Sequence, residues 1–246
     1  MRLKDDIHPF LTGERFSNGL VVDLARRQPH IDERMVLLEA IARGRKVIHL
    51  GFADHIPLIR RKIDEGKWLH GRLCEVASRC VGIDISDQAV RFVKEEIGLQ
   101  DVYRQDVLND PVPDAIADES WDYMILGEVL EHTDNPAAFL ATIAAKYRPI
   151  VQRIVVTVPN AFDLTNLRAL FKGREVINSD HRYWFTPFTL AKVGTCAGLR
   201  PGDYALCQND PVNSRLTSIL LKRFPLMRET IVMTFDMAGE SEPRSG

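Results

Sequence analysis

The chain has 246 residues, with 32 Lys and Arg against 34 Asp and Glu, a formal net charge of -2 and 45% apolar residues. That is ample for one α/β domain with attached segments. It lacks the basic excess of a non-specific nucleic-acid binder and any apolar run near the ~20 residues that span a bilayer. Residues 1–6 are charged and carry no apolar signal-peptide core. Cys74, Cys80, Cys196 and Cys207 form no CxxC pair and no zinc-finger spacing. They read as reduced thiols of a cytoplasmic protein. Basic groups at Arg26-Arg27 and within residues 43–46 and 60–62 read as solvated helix ends.

Residues 1–30, with Pro9, Gly13, Gly19 and Pro29, show no periodicity and read as an N-terminal arm or a lid over a site. Asp32 is placed to cap a helix whose apolar face holds Met35, Leu38, Ile41 and Ala42, with Gly44 near its end. A strand follows at 46–50. Residues 52–66, with Pro57 and Gly66, read as an extended turn and a helix start. A helix over 68–79 puts Leu69, Leu73, Val76 and Ala77 on one face. The second strand covers 80–85, and Ser86 or Asp87 caps the helix that carries Ala89, Val90, Phe92, Val93 and Ile97. Strands at 101–103 and 123–127 flank a loop over 107–120. Pro136 opens a helix through Phe139, Leu140, Ile143 and Ala144. A strand at 153–158 ends at Pro159-Asn160. Thr186-Pro187 introduces a helix through Leu190, Val193 and Ala197, closed by Gly198. A strand at 204–207, a helix at 214–223 and a strand at 230–235 complete the domain, which spans 31–237. Residues 238–246 are polar and read as a disordered tail.

Apolar strands alternating with helices imply a parallel α/β sheet, and the last hairpin-like pair adds one antiparallel strand. Asp84, Asp106 and Glu128 each follow an apolar run. Parallel sheets bind ligands outside the carboxyl ends of their strands. A row of acceptors on that rim suits a ligand rich in hydroxyl and amino groups, such as a nucleoside.

The order of these segments resembles the class I S-adenosylmethionine-dependent methyltransferases over roughly residues 45–236. The segments are Val47-Ile48-His49-Leu50-Gly51, Gly82-Ile83-Asp84-Ile85-Ser86, Gln105-Asp106-Val107, Glu128-Val129-Leu130-Glu131-His132, Val158-Pro159-Asn160 and Phe185-Thr186-Pro187-Phe188-Thr189-Leu190. The resemblance implies an α/β, Rossmann-like fold: seven strands, mostly parallel, helices on both faces, the seventh strand antiparallel. It implies S-adenosylmethionine as cofactor and S-adenosylhomocysteine as product. Asp84, with Ile85 beside it, would bind the ribose hydroxyls. Asp106 would accept from the adenine amino group, with the backbone at Val107 against the ring. Gly51, Phe52 and Ala53 would form the loop at the methionyl part, and Glu128 would stand near the methionyl end and the acceptor. The competing reading makes Asp84 and Asp106 plain caps of the helices after their strands.

The chain departs from the family's pattern in its first motif. His49 replaces the usual acid, and the loop Gly51-Phe52-Ala53-Asp54-His55 keeps a single glycine. Gly51 and Asp84 are 33 positions apart, against ~20 in dinucleotide-binding units. Residues 52–67 therefore read as an insertion at the mouth of the site. Three outcomes follow: the same cofactor bound through a different backbone path, weak binding until the acceptor closes the site, or loss of the cofactor.

Glu128-x-x-Glu131-His132, on a helix starting near Glu128, would share one face. With His181 these residues resemble the ligands of metal-dependent O-methyltransferases of the ubiquinone pathway and of small-RNA 3′ ends. Glu128, Glu131, His132 and His181 are thus candidate ligands of a divalent metal. In a metal-free site His132 or His181 would act as general base, and in a third reading neither moves a proton. Tyr183, Trp184, Phe185 and Phe188 are either core or a stacking wall for an acceptor. His8, His30, His55 and His70 read as surface or loop residues, with His55 in the cofactor loop.

The expected activity is methyl transfer to a hydroxyl of a small molecule, a sugar or glycan precursor, by analogy with enzymes of surface-glycan and natural-product pathways. A non-catalytic binding module and a nicotinamide-dependent oxidoreductase are the alternatives, the latter lacking its GxGxxG. The charge balance argues against a nucleic-acid acceptor and the hydropathy against membrane insertion. Self-association is left open.

Overall fold

The computed structural model describes residues 1–24, 28 and 30–237. The polar tail at 238–246 and the Arg26-Arg27 pair lie outside the described residues. In chain order the elements are α1 (His8–Thr12), β1 (Asp32–Glu33), α2 (Arg34–Ala42), β2 (Lys46–Leu50), α3 (Ile56–Asp64), α4 (Leu69–Val76), β3 (Arg79–Asp84) and α5 (Asp87–Phe92), which runs on into a π turn. Then come β4 (Val102–Arg104), α6 (Asp114–Ala117), β5 (Trp121–Gly127), α7 (Pro136–Tyr147), β6 (Val151–Pro159), α8 (Leu164–Leu170), α9 (Pro187–Cys196), β7 (Arg200–Gln208), α10 (Arg215–Arg223) and β8 (Thr230–Asp236).

The sheet order is β1-β7-β8-β6-β5-β2-β3-β4. From β2 to β6 every pairing is parallel, and β8 runs antiparallel to both β6 and β7. All seven expected strands are present, and the last is the antiparallel one. The eighth, β1, is a two-residue edge strand parallel to β7, with Asp32 opposite Cys207. Asp32 is thus a strand residue and caps nothing. Helix α2 begins after Glu33, whose extended backbone offers no side-chain cap. The cause is pairing with a partner some 175 positions away, which no local pattern announces. Other caps follow local rules: Ser86 Oγ accepts from the Ala89 N–H, Asn135 from Ala138, Ser214 from Thr217, and Thr186 and Thr189 form a reciprocal capping box. Helix α8, capped by Asp163, was not visible in the apolar periodicity.

Helices cover both faces, so successive residues of the central strands are buried alternately on either side. Ile48, Met124, Leu126, Ile154 and Val156 pack on one face with Leu140, Ile143 and Leu190 of α7 and α9. Val47, Ile125, Val155 and Val232 pack on the other with Leu38 and Leu73 of α2 and α4. Residues 1–24 add to the first face: Ile7 and Leu11 are buried there, and Lys192 Nζ of α9 donates to the Phe10 carbonyl at 2.6 Å. The chain leaves β2 for β3 and β4 on one side and returns to β5 and β6 on the other. The strand order therefore switches between β2 and β5, where a crevice opens above their carboxyl ends. Among the described residues no helix is long and apolar enough to cross a membrane.

Candidate active site

A cavity of about 1060 Å³ opens at that switch point, lined by residues that include Gly51, Phe52, Ala53, Ser86, Glu128, His132 and His181. Its near wall is the loop after β2. Gly51 has φ +71°, and a Cβ there would lie 2.5 Å from Val129 Cγ2, so glycine is required twice over. Phe52 turns inward, 2% exposed, and joins Ile59, Trp68 and Val90 in a third apolar cluster. The ring stacks on Gly82, where an added Cβ would meet it at 2.7 Å. The crevice is therefore not blocked by Phe52. The insertion at 52–67 forms α3, whose Ile59 anchors it to that cluster, while His55, Leu58 and Lys62 line the cavity.

Asp84 ties this loop to β3. One carboxylate oxygen accepts the Ala53 N–H at 3.2 Å and the other the Ser86 N–H at 2.8 Å. Burial raises its pKa against the pull of these N–H donors. Ile85 is exposed. Asp106 accepts from the Leu108 N–H at 3.0 Å and from Asn109 Nδ2 at 2.8 Å, and the Asn109 hydrogen bond holds its carboxyl below the usual range. Val107 is buried in the core. Asp84, Ile85, Asp106 and Val107 stand outside the lining of the cavity, Asp84 directly behind Ala53 and Ser86.

Across the cavity, Glu128 follows β5 with φ 58°, the one non-glycine at positive φ among the described residues. Such a backbone costs of order 1 kcal/mol and collects at functional sites. It is locked from three sides: the Glu128 N–H reaches both the carbonyl and Oγ1 of Thr157 at 3.1 Å, and Arg34 Nη1 lies 3.4 Å from its Oε1. The left-handed turn also corrects the expected helix from Glu128. Only a 3-10 turn over Leu130–His132 forms, so Glu128 does not share a helical face with Glu131 and His132.

Glu131 is fully buried, and neither carboxylate oxygen has a hydrogen-bond partner. Burial pushes the carboxyl up to about 8. His181 Nε2 stands 4.0 Å from its Oε1. The His132 and His181 rings meet edge to face with centroids 4.7 Å apart. One ligand atom from each of Glu131, His132 and His181 lies within 4.8 Å of the other two. Glu128 is not in this set, being paired with Arg34. His132 Nδ1 donates to the Asp180 carbonyl at 3.2 Å, and the Arg182 N–H to the Glu131 carbonyl at 2.8 Å, which docks residues 180–182 against the 3-10 turn. Burial, then the neighbouring His132, lowers the His181 pKa, and His181 Nδ1 is buried without a partner.

The aromatic run divides. Phe185 is buried in the core and Phe188 packs on it, while Tyr183 is exposed and donates to the Asp134 carbonyl at 2.7 Å. His70 is a correction: expected on the surface or in a loop, it is 1% exposed on α4, with its Nδ1 3.3 Å from His49 Nδ1. His49, in the place of the family's acid, is buried too. Burial, then His70 and Arg34, pushes its pKa well below the ordinary value, so it stays neutral. Arg34, which holds Glu128, escaped the sequence reading because nothing local marks an arginine that opens a helix as a site residue.

Residues 25–201 match the profile of a methyltransferase-domain family. No curated protein matches the sequence. Similar solved structures include an S-adenosylmethionine-dependent methyltransferase from Aquifex aeolicus, 12% identical over 85% of this chain and 90% of that one, with TM-score 0.52. Another such methyltransferase, from Mesorhizobium loti, is 13% identical over 82% and 96% with TM-score 0.50. The small RNA methyltransferase HEN1 is 12% identical over 91% of this chain and 28% of its own, with TM-score 0.55. At such identities the likeness extends to the fold alone. The profile match, over most of the chain and on a sheet of this topology, is what assigns the family: the chain belongs to the class I S-adenosylmethionine-dependent methyltransferases.

Proposed function

We propose that this methyltransferase acts on a hydroxyl group of a small molecule, a sugar or glycan precursor. The observation that carries the reading is the buried, unpartnered carboxyl of Glu131 beside His132 and His181, whose imidazoles face the same cavity as the Gly51 loop. An alcohol is a poor nucleophile, and its transfer chemistry needs a group that removes or weakens the hydroxyl proton. Two orphaned carboxylate oxygens with an imidazole nitrogen of His132 and of His181 close by are a donor set that suits a divalent cation. Glu131, His132 and His181 would hold it. Bound there, the cation would act as a Lewis acid on the acceptor hydroxyl.

The chain's own residues supply the rest. The Gly51–Ala53 backbone bounds the methionyl end, and Asp84 braces that loop through the Ala53 N–H. In the absence of a cation, His181, whose pKa burial lowers, would instead be the base that accepts a proton from the acceptor. Glu128 is immobilised by Arg34 and Thr157, so it can orient an acceptor hydroxyl without itself reorganising. Rate enhancement would come chiefly from in-line placement of the hydroxyl against the methyl group that the cofactor supplies. The sugar class is supported by the likeness of Glu128–His132 and of Phe185–Leu190 to glycan-pathway enzymes, which is analogy.

The test is methyl transfer from isotope-labelled S-adenosylmethionine to a panel of hydroxylated sugars, before and after chelation. Label in an acid-stable methyl ether, lost on chelation and restored by Mg²⁺ or Mn²⁺, is the expected result. Activity indifferent to chelation would remove the cation and leave the histidine base. Absence of calorimetric heat with S-adenosylhomocysteine would mean a non-catalytic module.

A further inference from the structure

A second group of ligand-type side chains lies behind the Gly51 loop, on the opposite flank of the cavity from Glu131. His70 and Cys74 are four positions apart on α4 and leave it from one face. Cys80 comes from the start of β3. His70 and Cys80 are buried and Cys74 is half-buried. Cys74 Sγ lies 3.7 Å from His70 Nε2, and Cys80 Sγ lies 3.8 Å from His70 Nδ1. One ligand atom from each of the three is within 4.8 Å of the other two. Tetrahedral zinc, with bonds of ~2.0 Å to nitrogen and ~2.3 Å to sulfur, holds its N and S ligands roughly 3.6 Å apart. The Cys74 Sγ to His70 Nε2 separation is close to that spacing, and Cys80 Sγ, which lies nearer the other ring nitrogen, is within 4.8 Å of the set, a gap that side-chain rotation can close without moving the backbone.

We propose that His70, Cys74 and Cys80 form a binding site for a soft divalent transition metal of the zinc class, which clamps α4 to β3 beneath the cofactor loop. Thiolate and imidazole donors select such a metal over Mg²⁺ or Ca²⁺. Two thiolates and a neutral imidazole cancel the charge of the ion, so the loaded site can be buried without an uncompensated charge. Binding takes both sulfurs as thiolates and releases to solvent whatever protons they carry, and nothing is oxidised or reduced. His49, 3.3 Å from His70 Nδ1, is a positioning residue that orients the ring. The His70 ring also supports the loop: its centroid lies 4.8 Å from that of Phe52, and a Cβ on Gly82 would meet its Cε1 at 2.9 Å. The inference uses none of the residues assigned to the acceptor side.

The test is a titration of the reduced, chelator-treated full chain with Co²⁺, a spectroscopic stand-in for Zn²⁺. One equivalent should give a thiolate-to-cobalt charge-transfer band that Zn²⁺ displaces. Cys74→Ser, at a half-buried position that tolerates the change, and Cys80→Ser should each abolish the band. Glu131→Gln should keep it, which separates this site from the oxygen-rich one. Saturating Zn²⁺ should slow alkylation of Cys74 at least tenfold. No charge-transfer band in the wild-type chain, a full band in both serine variants, or alkylation indifferent to Zn²⁺ would overturn the proposal.

Discussion

Two histidine clusters flank the cavity, and their partners are of opposite chemical character. On the β5–β6 flank, His132 and His181 stand with Glu131, an oxygen and nitrogen set in which the carboxylate has no hydrogen bond at all. On the β2–β3 flank, His70 stands with Cys74 and Cys80 in a sulfur and nitrogen set whose members already touch through weak sulfur contacts. The first has its imidazoles in the cavity lining and the second lies behind the Gly51 loop; donor softness separates what each can hold. The first is unstable as it stands, because a buried carboxyl without partners favours its neutral form. In the second the two thiols divide: the Cys80 hydrogen bond draws the Cys74 thiol down to about 5, and the same contact together with burial pushes that of Cys80 up. An unpartnered hard donor beside the cavity fits a reacting centre, and a packed soft set behind the loop fits a brace.

The largest expected effect breaks that contrast at Glu131. Glu131→Gln should lower kcat/KM by about 100-fold or more, while thermal stability stays level or rises because a buried ionisable group has been removed. Unchanged turnover would mean the β5–β6 flank is not the reacting one. The same group sets a pH dependence in the chelator-treated protein. Folding lifts the Glu131 carboxyl from 4.5 to about 8, so the folded state holds more protons across that window. Its contribution to stability is complete below 4.5 and is lost as the pH climbs to 8, by up to about 5 kcal/mol. Urea midpoints measured between these limits should fall with pH in the wild type and flatten in Glu131→Gln. A wild-type profile as flat as the variant's would contradict the burial argument.

On the other flank, Gly51→Ala forces an L side chain to φ +71° with its Cβ 2.5 Å from Val129. A loss of about 2 kcal/mol is expected, with at least tenfold weaker binding of S-adenosylhomocysteine by calorimetry. Full affinity would show that this loop does not shape the cofactor end. The smallest effect is a control at a residue that does not line the cavity. Thr186→Ala removes the capping box of α9 and should cost about 1 kcal/mol, leaving cofactor binding and the cobalt spectrum as they were.

Much of the architecture could be read from residue order. Strand 46–50 ends where β2 ends, Ser86 caps its helix and Thr186-Pro187 opens α9, because caps and apolar alternation are local properties. Elements stabilised from a distance were invisible: β1 exists only through its pairing with β7. The site was legible in part. His132 and His181 were singled out and are brought together, although 49 positions separate them. Glu128 was expected to share a helical face with Glu131 and His132, and its positive φ prevents it. Neither His70 nor Arg34 was recognised. Spacing reports which residues share a face of one element, and their contacts cross between elements.

Sequence alone determined the α/β class, the antiparallel last strand and the family, because each rests on periodicity and motif order along the chain. Tertiary structure decided the rest: which carboxyl loses its water, which acid is turned inward to brace a loop, and which histidine meets two sulfurs. Burial and proximity between distant segments are properties of the packed chain. They set donor character and pKa only after the sheet has brought its strands together.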